Sequence, residues 1–108
     1  MIYSLEEIKA RVLPLVQKYH IPAIYLFGSY ARGEAREDSD LDFLVDTAGS
    51  KLTSLLTLGA LYCDLEDAFQ KKIDLLTVRG VLAHSETPSD RNFQNVIFRE
   101  RVRLDDVA

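Results

Sequence analysis

The chain has 108 residues, of which 47% are hydrophobic and 28% charged, so it can bury one modest core and is expected to form a single domain, 1–108. Its formal net charge of −4 disfavours direct binding of nucleic acid, which normally requires a basic surface. Cys63 is the only cysteine, which excludes an internal disulfide. No apolar run has the length of a membrane span or a signal core, so we expect a cytoplasmic protein without membrane contact.

The first predicted element is a helix over residues 4–19. Ser4 and Glu7 have the spacing of a capping box, and apolar residues recur after them at helical spacing. Pro14 lies inside this run and cannot donate a backbone hydrogen bond. We therefore expect a kink or an early break near residues 11–13.

An apolar strand is predicted over 23–27, and it ends at Gly28 and Ser29, where a short helix begins. A residue without a Cβ lets an anion approach the backbone, and free N–H groups at a helix start favour negative charge. The Ser29 hydroxyl adds a donor. These features predict a phosphate-binding turn, and Arg32 could reach a phosphate or hold the acidic segment that follows.

A second strand, predicted over 40–46, follows the polar loop 34–39 and begins with two acids. Because side chains alternate across a strand, Asp40 and Asp42 project from the same face. Two carboxylates about 5 Å apart repel by roughly 3 kcal/mol at an effective dielectric constant near 20, so the pair needs a cation or a proton. Hard oxygen ligands favour Mg²⁺ or Mn²⁺.

The ordered combination of Gly28-Ser29, a spacer of about ten residues and Asp40-Leu41-Asp42 resembles the signature of the nucleotidyltransferase superfamily typified by DNA polymerase beta. The fuller pattern, Gly-Ser-x-Ala-Arg-Gly followed by Ser-Asp-x-Asp, is most similar to the minimal (MNT-type) nucleotidyltransferases of prokaryotes. The resemblance implies an α/β nucleotidyltransferase fold, with helices packed mainly on one face of a small mixed sheet. It also implies a third carboxylate from a neighbouring strand, for which Asp74 is the one good candidate.

The rest of the chain predicts further helices and strands. They are a long helix over 51–70, a strand over 73–78, one or two helical turns over 81–85, a helix over 91–99 capped by Ser89 or Asp90, and a short edge strand over 102–104. Residues 105–108 are expected to be frayed. The predicted buried face of the long helix comprises Leu52, Leu55, Leu56, Gly59, Tyr62, Cys63, Glu66 and Phe69. On the last helix we expect Phe93, Val96 and Ile97 to face inward.

Other polar residues near the signature have simpler interpretations. Ser39 is expected to cap the turn into the second strand, because no histidine lies in the signature to activate it as a nucleophile. Arg36 is either a solvated loop charge or a phosphate ligand. Tyr30 is expected to pack, although its position beside the phosphate turn would let it touch a substrate. His20 and His84 lack metal-ligand spacing to another histidine or cysteine.

The resemblance implies a two-metal transfer of a nucleotidyl group, expected to be AMP from ATP. The ligands of two Mg²⁺ or Mn²⁺ ions, which are also the catalytic residues, would be Asp40, Asp42 and Asp74. The phosphate ligands would be Gly28, Ser29 and Arg32. Asp74 would bind the ion that activates the acceptor hydroxyl, and whether it also serves as the general base stays open.

The acceptor is expected on another chain, because larger relatives bind it with additional domains. The resemblance implies a small helical HEPN-type partner, a toxic ribonuclease that this chain would adenylylate as its antitoxin. Two alternatives remain open. One is a non-catalytic module that masks a partner, and the other is a subunit of a small-molecule, antibiotic-type nucleotidyltransferase that is completed by oligomerisation.

Overall fold

The computed structural model describes residues 2–105, and helices and strands alternate along most of that range. The elements are α1 (Leu5–Tyr19), β1 (Ala23–Phe27), α2 (Gly28–Ala31), β2 (Leu41–Asp46), α3 (Leu55–Phe69), β3 (Ile73–Thr77), α4 (Val78–Ala83), α5 (Pro88–Glu100) and β4 (Val102–Arg103). The predicted α/β class is confirmed, and β1 has the predicted bounds.

The four strands form one mixed sheet in the order β3-β2-β1-β4. Strand β1 is antiparallel to both β2 and β4, whereas β2 and β3 are parallel. A parallel pair needs a crossover connection, and α3 supplies it. The small mixed sheet that the resemblance implied is therefore confirmed, as is the edge position of the last strand.

The two faces of the sheet carry cores of different size. Leu41, Phe43 and Val45 of β2 belong to the larger core, which α1 and α3 cover. The opposite face carries a smaller cluster of Leu44 and residues of α4 and α5. Helices therefore pack mainly on one face, as expected, and because side chains alternate along β2, Asp42 projects from the less covered face, like Leu44.

Helix α1 continues through Pro14 to Tyr19, so of the two expected outcomes, a kink or an early break, the early break is wrong. Its start is as predicted, because Ser4 and Glu7 form a reciprocal capping box. Pro14 removes the hydrogen bond that the Ala10 carbonyl would accept, but both residues are exposed and water can bond to that carbonyl. Buried Ile8 and Val12 hold the preceding turns of the helix in the core.

Helix α3 begins at Leu55, four residues after the predicted start, and its buried face differs from the predicted one. Leu61, Leu65 and Phe69 are fully buried, whereas Leu55 and Leu56 are 88% and 84% exposed. Ser54 caps the helix through a reciprocal contact with Thr57, a weaker sequence signal than Ser-x-x-Glu.

The remaining members of the predicted α3 face have different positions. Gly59 and Cys63 are exposed, Tyr62 and Glu66 are half-buried, and Leu52 is buried from the loop that precedes the helix. The sequence of α3 is rich in leucine, so more than one face satisfies helical periodicity and the pattern alone could not select the buried one.

Two capping and boundary predictions near the end of the chain are wrong. Helix α5 is capped by Thr87 rather than by Ser89 or Asp90; Asp90 completes the capping box, and Pro88 occupies the first turn, where its missing N–H costs nothing. Helix α4 begins at Val78, where a continuation of β3 was expected.

Other expectations at the chain end have mixed outcomes. Ile97 is buried and Val96 half-buried, but Phe93 is 49% exposed. Asp105 is not frayed, since its Oδ1 accepts the Ile24 N–H at 3.0 Å and its carboxylate pairs with Arg103. Residues 106–108, the rest of the predicted tail, lie outside the described residues.

Two tyrosines make a matched test of this core. Tyr30 packs against the larger core, as expected, but its buried hydroxyl has no hydrogen-bond partner within residues 2–105. The buried Tyr3 hydroxyl donates to the Phe69 carbonyl at 2.6 Å. We predict that Tyr3→Phe lowers the free energy of unfolding by about 1 kcal/mol, whereas Tyr30→Phe leaves it unchanged or raises it by up to about 1 kcal/mol. Urea denaturation measures the free energy of unfolding of both variants. Equal losses of stability would contradict the assignment of a hydrogen bond to Tyr3 and of none to Tyr30.

Candidate active site

The parallel pairing of β2 and β3 brings two of the predicted acids together. Asp42 lies directly opposite Asp74 in the register of these strands. Adjacent strands are about 4.8 Å apart, and paired residues project from the same face of a sheet. The structure therefore places Asp74 on the face of Asp42, as the predicted site requires.

The environment of Asp42 penalises its negative charge. The pKa of Asp42 is raised to about 7, first by burial and then by the hydrogen bond with Asp74 and the charges of Asp74 and Asp40, while Arg32 opposes the rise. Two carboxylates that share a proton near neutral pH lack a compensating positive charge. This is the electrostatic situation that a divalent cation relieves.

Asp40 lies one residue before β2 and faces a different neighbour. Its Oδ2 is 3.8 Å from the Lys72 Nζ, and both side chains are substantially exposed, so this ion pair is weak. Within residues 2–105 no group of three or more histidine, cysteine or acidic residues is already arranged to hold a metal ion. Asp42 and Asp74 are thus adjacent, whereas the Asp40 carboxylate pairs with Lys72, and its place among the metal ligands stays a prediction.

Gly28 is shaped by the acid next to it. Its φ of +74° lies in the left-handed region, and a Cβ at this position would overlap the Asp42 Oδ2 and lie 3.0 Å from its Cγ. Phe27, the preceding residue, pairs with Asp42 across the sheet, which explains the proximity. Any larger residue would therefore displace the carboxylate as well as strain the backbone.

Ser29 follows in α2, a helix of only four residues. Its carbonyl accepts the Glu34 N–H at 2.9 Å, which closes the turn. The half-buried side chain has a hydroxyl without a hydrogen-bond partner in the described part of the chain, so this group is available to a ligand. Its role as a phosphate ligand stays a prediction.

Arg32 is held by two acids at the mouth of the site. Its Nε donates to the Glu34 Oε1 at 2.6 Å and its Nη1 to the Glu100 Oε2 at 3.2 Å. Neither acid was predicted as a partner of Arg32, and no local signal indicates Glu100, which lies 68 residues from Arg32 in the chain.

The turn before β2 is capped as predicted. Ser39 caps a turn, because its Oγ accepts the Arg36 N–H at 2.8 Å and its own N–H donates back to the Arg36 carbonyl. The Lys71 Nζ stabilises the same loop by donating a hydrogen bond to the Glu37 carbonyl at 2.7 Å. His84 is exposed and His20 ends α1 as its C-cap.

Two surface cavities lie outside the acidic cluster. The larger, of about 820 Å³, is lined by the loop after β2 and by α4, at the end of β2 opposite to Asp42. The smaller, of about 430 Å³, includes Leu76, Val81 and Phe93. Leu76 follows Asp74 by two residues, so this apolar hollow begins beside the third acid.

Comparisons with known proteins agree with this geometry. The family profile described as Polymerase beta, Nucleotidyltransferase matches residues 11–87, which include the Gly28-Ser29 turn and all three acids. The chain belongs to the polymerase beta nucleotidyltransferase family. The prediction that it is a nucleotidyltransferase is thereby confirmed at the level of the family.

Two relatives carry the name protein adenylyltransferase. MJ0435 of Methanocaldococcus jannaschii is 38% identical over 78 residues, which are 72% of this chain and 82% of the relative. MntA of Thermococcus cleftensis is 40% identical over 77 residues, 68% of this chain and 76% of the relative.

Solved structures share the fold. A minimal nucleotidyltransferase superposes with a TM-score of 0.65 at 35% identity, and the match covers 93% of this chain and 95% of the other. A chain from a toxin–antitoxin crystal structure with AMP-PNP gives a TM-score of 0.66 at 21% identity, covering 89% of this chain and 71% of that one. Within residues 2–105 no helix is long and apolar enough to cross a membrane.

The two left-handed glycines of the signature give a matched test of the site. Gly28→Ala and Gly33→Ala impose the same backbone strain, since their φ values are +74° and +73°, but nothing lies within 4 Å of a Cβ on Gly33. We expect Gly33→Ala to lower the free energy of unfolding by about 1 kcal/mol and Gly28→Ala by roughly 1 kcal/mol more. Only Gly28→Ala should abolish Mg²⁺-dependent nucleotide binding in calorimetry. Equal binding by the two variants would contradict the contact with Asp42.

The pKa of Asp42 predicts how stability depends on pH in the metal-free protein. The folded-state pKa of about 7 lies above the ordinary value of 3.8, so as the pH rises the unfolded chain releases this proton first. The stabilisation that the protonated Asp42 gives the folded state is fully present below pH 4, and it is lost as the pH rises through 7. Asp42→Asn should therefore gain stability relative to wild type between pH 5 and pH 8, by about 1–2 kcal/mol after allowance for solvent screening.

Urea denaturation of wild type and Asp42→Asn at pH 5 and at pH 8, with a chelator present, measures this difference in the free energy of unfolding. Asp67→Asn, which removes an exposed acid from α3, is the matched control and should show no such gain. A gain of the same size in the control would assign the effect to net charge rather than to the Asp42–Asp74 pair.

Proposed function

We propose that this chain transfers AMP from ATP to a hydroxyl group of a partner protein. The observation that carries the proposal is the in-register pairing of Asp42 with Asp74 against the Gly28 turn. Two acids in this arrangement destabilise the metal-free protein, so a structural role does not account for them.

The donor set fits hard divalent cations. Asp42 and Asp74 offer carboxylate oxygens on one face of the sheet, and Asp40 adds a third carboxylate when it leaves Lys72. Two Mg²⁺ or Mn²⁺ ions, when bound, would neutralise these carboxylates and acidify the acceptor hydroxyl. The raised pKa of Asp42 is the signature of a site that lacks this positive charge.

The residues of the chain divide the reaction between them. The backbone of Gly28 and the hydroxyl of Ser29 hold the β and γ phosphates, and Arg32 adds positive charge beside them. The acceptor oxygen attacks the α phosphorus in line, while the bond from that phosphorus to the pyrophosphate oxygen breaks. Asp74 is exposed on the outer strand, where an acceptor can reach it, and it takes the proton of the attacking hydroxyl. Pyrophosphate leaves from the side of the Gly28-Ser29 turn.

The relatives support the choice of AMP and of a protein acceptor. Two chains that are 38% and 40% identical to this one carry the name protein adenylyltransferase. We propose that the acceptor is a small helical HEPN-type toxin and that adenylylation neutralises it. A module that only masks its partner would have no use for a repelling acidic cluster, and no contact of the described residues favours a small-molecule acceptor.

Intact-mass spectrometry of the partner tests the proposal. A HEPN-type protein is incubated as the partner with the chain, Mg²⁺ and ATP, and we predict one added adenylyl group. Asp42→Asn and Asp74→Asn should each lower the rate at least about 100-fold, because each removes a ligand from the transition-state charge. Asp67→Asn, with the same change of charge on α3, should transfer at the wild-type rate.

Other outcomes are informative in the same experiment. Transfer of another nucleotide in a mixture of the four triphosphates would correct the choice of ATP alone. Full neutralisation of the partner by Asp42→Asn, without any mass change, would overturn the catalytic proposal in favour of a masking module.

A further inference from the structure

The guanidinium of Arg32 is hydrogen-bonded to two acids from different parts of the chain. Glu34 lies in the loop after α2, and its Oε1 accepts a hydrogen bond from the Nε of Arg32. Glu100 is the last residue of α5, and its Oε2 accepts a hydrogen bond from the Nη1. Both contacts are charge-assisted hydrogen bonds, the stronger kind. Together the acids also raise the pKa of Arg32, Glu34 being the larger cause.

This arrangement leaves part of the guanidinium unused. The Nη2 of Arg32 has no hydrogen-bond partner within residues 2–105. A guanidinium is planar and rigid, so fixing the Nε and the Nη1 also fixes the position of the Nη2 and its two N–H bonds. The side chain remains 44% exposed, which keeps the free nitrogen open to a ligand.

The backbone of Arg32 belongs to the Gly28 turn, and its charge acts on Asp42. Arg32 ends α2, and its N–H donates to the Gly28 carbonyl at 3.1 Å. Helix α2 also contacts α5, the helix that carries Glu100. The guanidinium is therefore attached to the turn that is proposed to hold phosphates.

We propose that Glu34 and Glu100 are positioning residues, which hold Arg32 so that its Nη2 meets a phosphate oxygen of the bound nucleotide. The inference rests on the proposed function, since it requires a nucleotide at the Gly28 turn. It extends the site to α5, because Glu100 lies beyond residues 11–87 that match the family.

The physical benefit is preorganisation. A free arginine side chain loses rotamer entropy when it is immobilised on a ligand. Two carboxylates that immobilise the Arg32 side chain before the nucleotide binds transfer this entropic cost from binding to folding. The opposite possibility is that the acids compete with the phosphate for Arg32, and it predicts the opposite sign for removal of Glu100.

A double-mutant cycle on nucleotide affinity tests the inference. Binding of AMP-PNP in Mg²⁺ is measured by calorimetry for wild type, Glu100→Ala, Arg32→Ala and the double variant. We expect Glu100→Ala to weaken binding about 3- to 10-fold, but less than about 2-fold when Arg32 is already alanine. Glu100→Gln, which keeps an acceptor oxygen, should lie between wild type and Glu100→Ala.

Glu86→Ala is the matched control, because it removes the same charge from an exposed residue just before α5. It should bind like wild type, and melting temperatures of all variants verify that they are folded. Tighter binding by Glu100→Ala, no change, or an equal loss in both backgrounds would overturn the inference. Wild-type affinity of Arg32→Ala would overturn it as well. Failure of wild type itself to bind AMP-PNP would instead reject the proposed function.

Discussion

The site depends on the register of two parallel strands. A shift of β3 by one residue against β2 would move Asp74 to the opposite face, into the larger core, and leave Asp42 without its partner. Register is secured by Ile73 and Leu41, which are paired one position earlier and are both fully buried. The same apolar packing that stabilises the fold therefore fixes the distance between the two acids.

The turn after β1 is adapted to that constraint. Phe27 pairs with Asp42, so the residue that follows must pass close to a carboxylate while the chain turns into α2. Glycine satisfies both demands, because it tolerates a positive φ and leaves the volume that the Asp42 carboxylate occupies. The Gly-Ser pair and the Asp-x-Asp pair are thus parts of one packing unit rather than two separate motifs.

The features that could be predicted from the sequence are those with local causes. The Ser4–Glu7 spacing located the start of α1, and β1 was bounded by turn residues on both sides. Several of the predictions that failed concern choices made by packing. In α3 the leucines allow several buried faces, and the sheet selects the one with Leu61 and Leu65.

Long-range polar contacts were also beyond the reach of the sequence. Asp105 is ordered by a hydrogen bond from the N–H of Ile24, and Arg32 is held by a hydrogen bond to Glu100. Neither partner can be inferred from spacing, because each contact joins elements whose neighbourhood only the sheet order decides.

The two paired acids, Asp42 and Asp74, lie on strands of unequal support. Asp42 belongs to β2, which has neighbours on both sides, while Asp74 belongs to β3, which among the strands of residues 2–105 is paired on one side only. Border strands open at a lower free-energy cost than interior ones. In the proposed reaction, the half of the site that faces phosphates would therefore be the better supported one, and the half that faces the acceptor the more compliant one. Such a division would let the chain keep one nucleotide geometry while the outer strand adapts to the surface of the molecule that presents the hydroxyl.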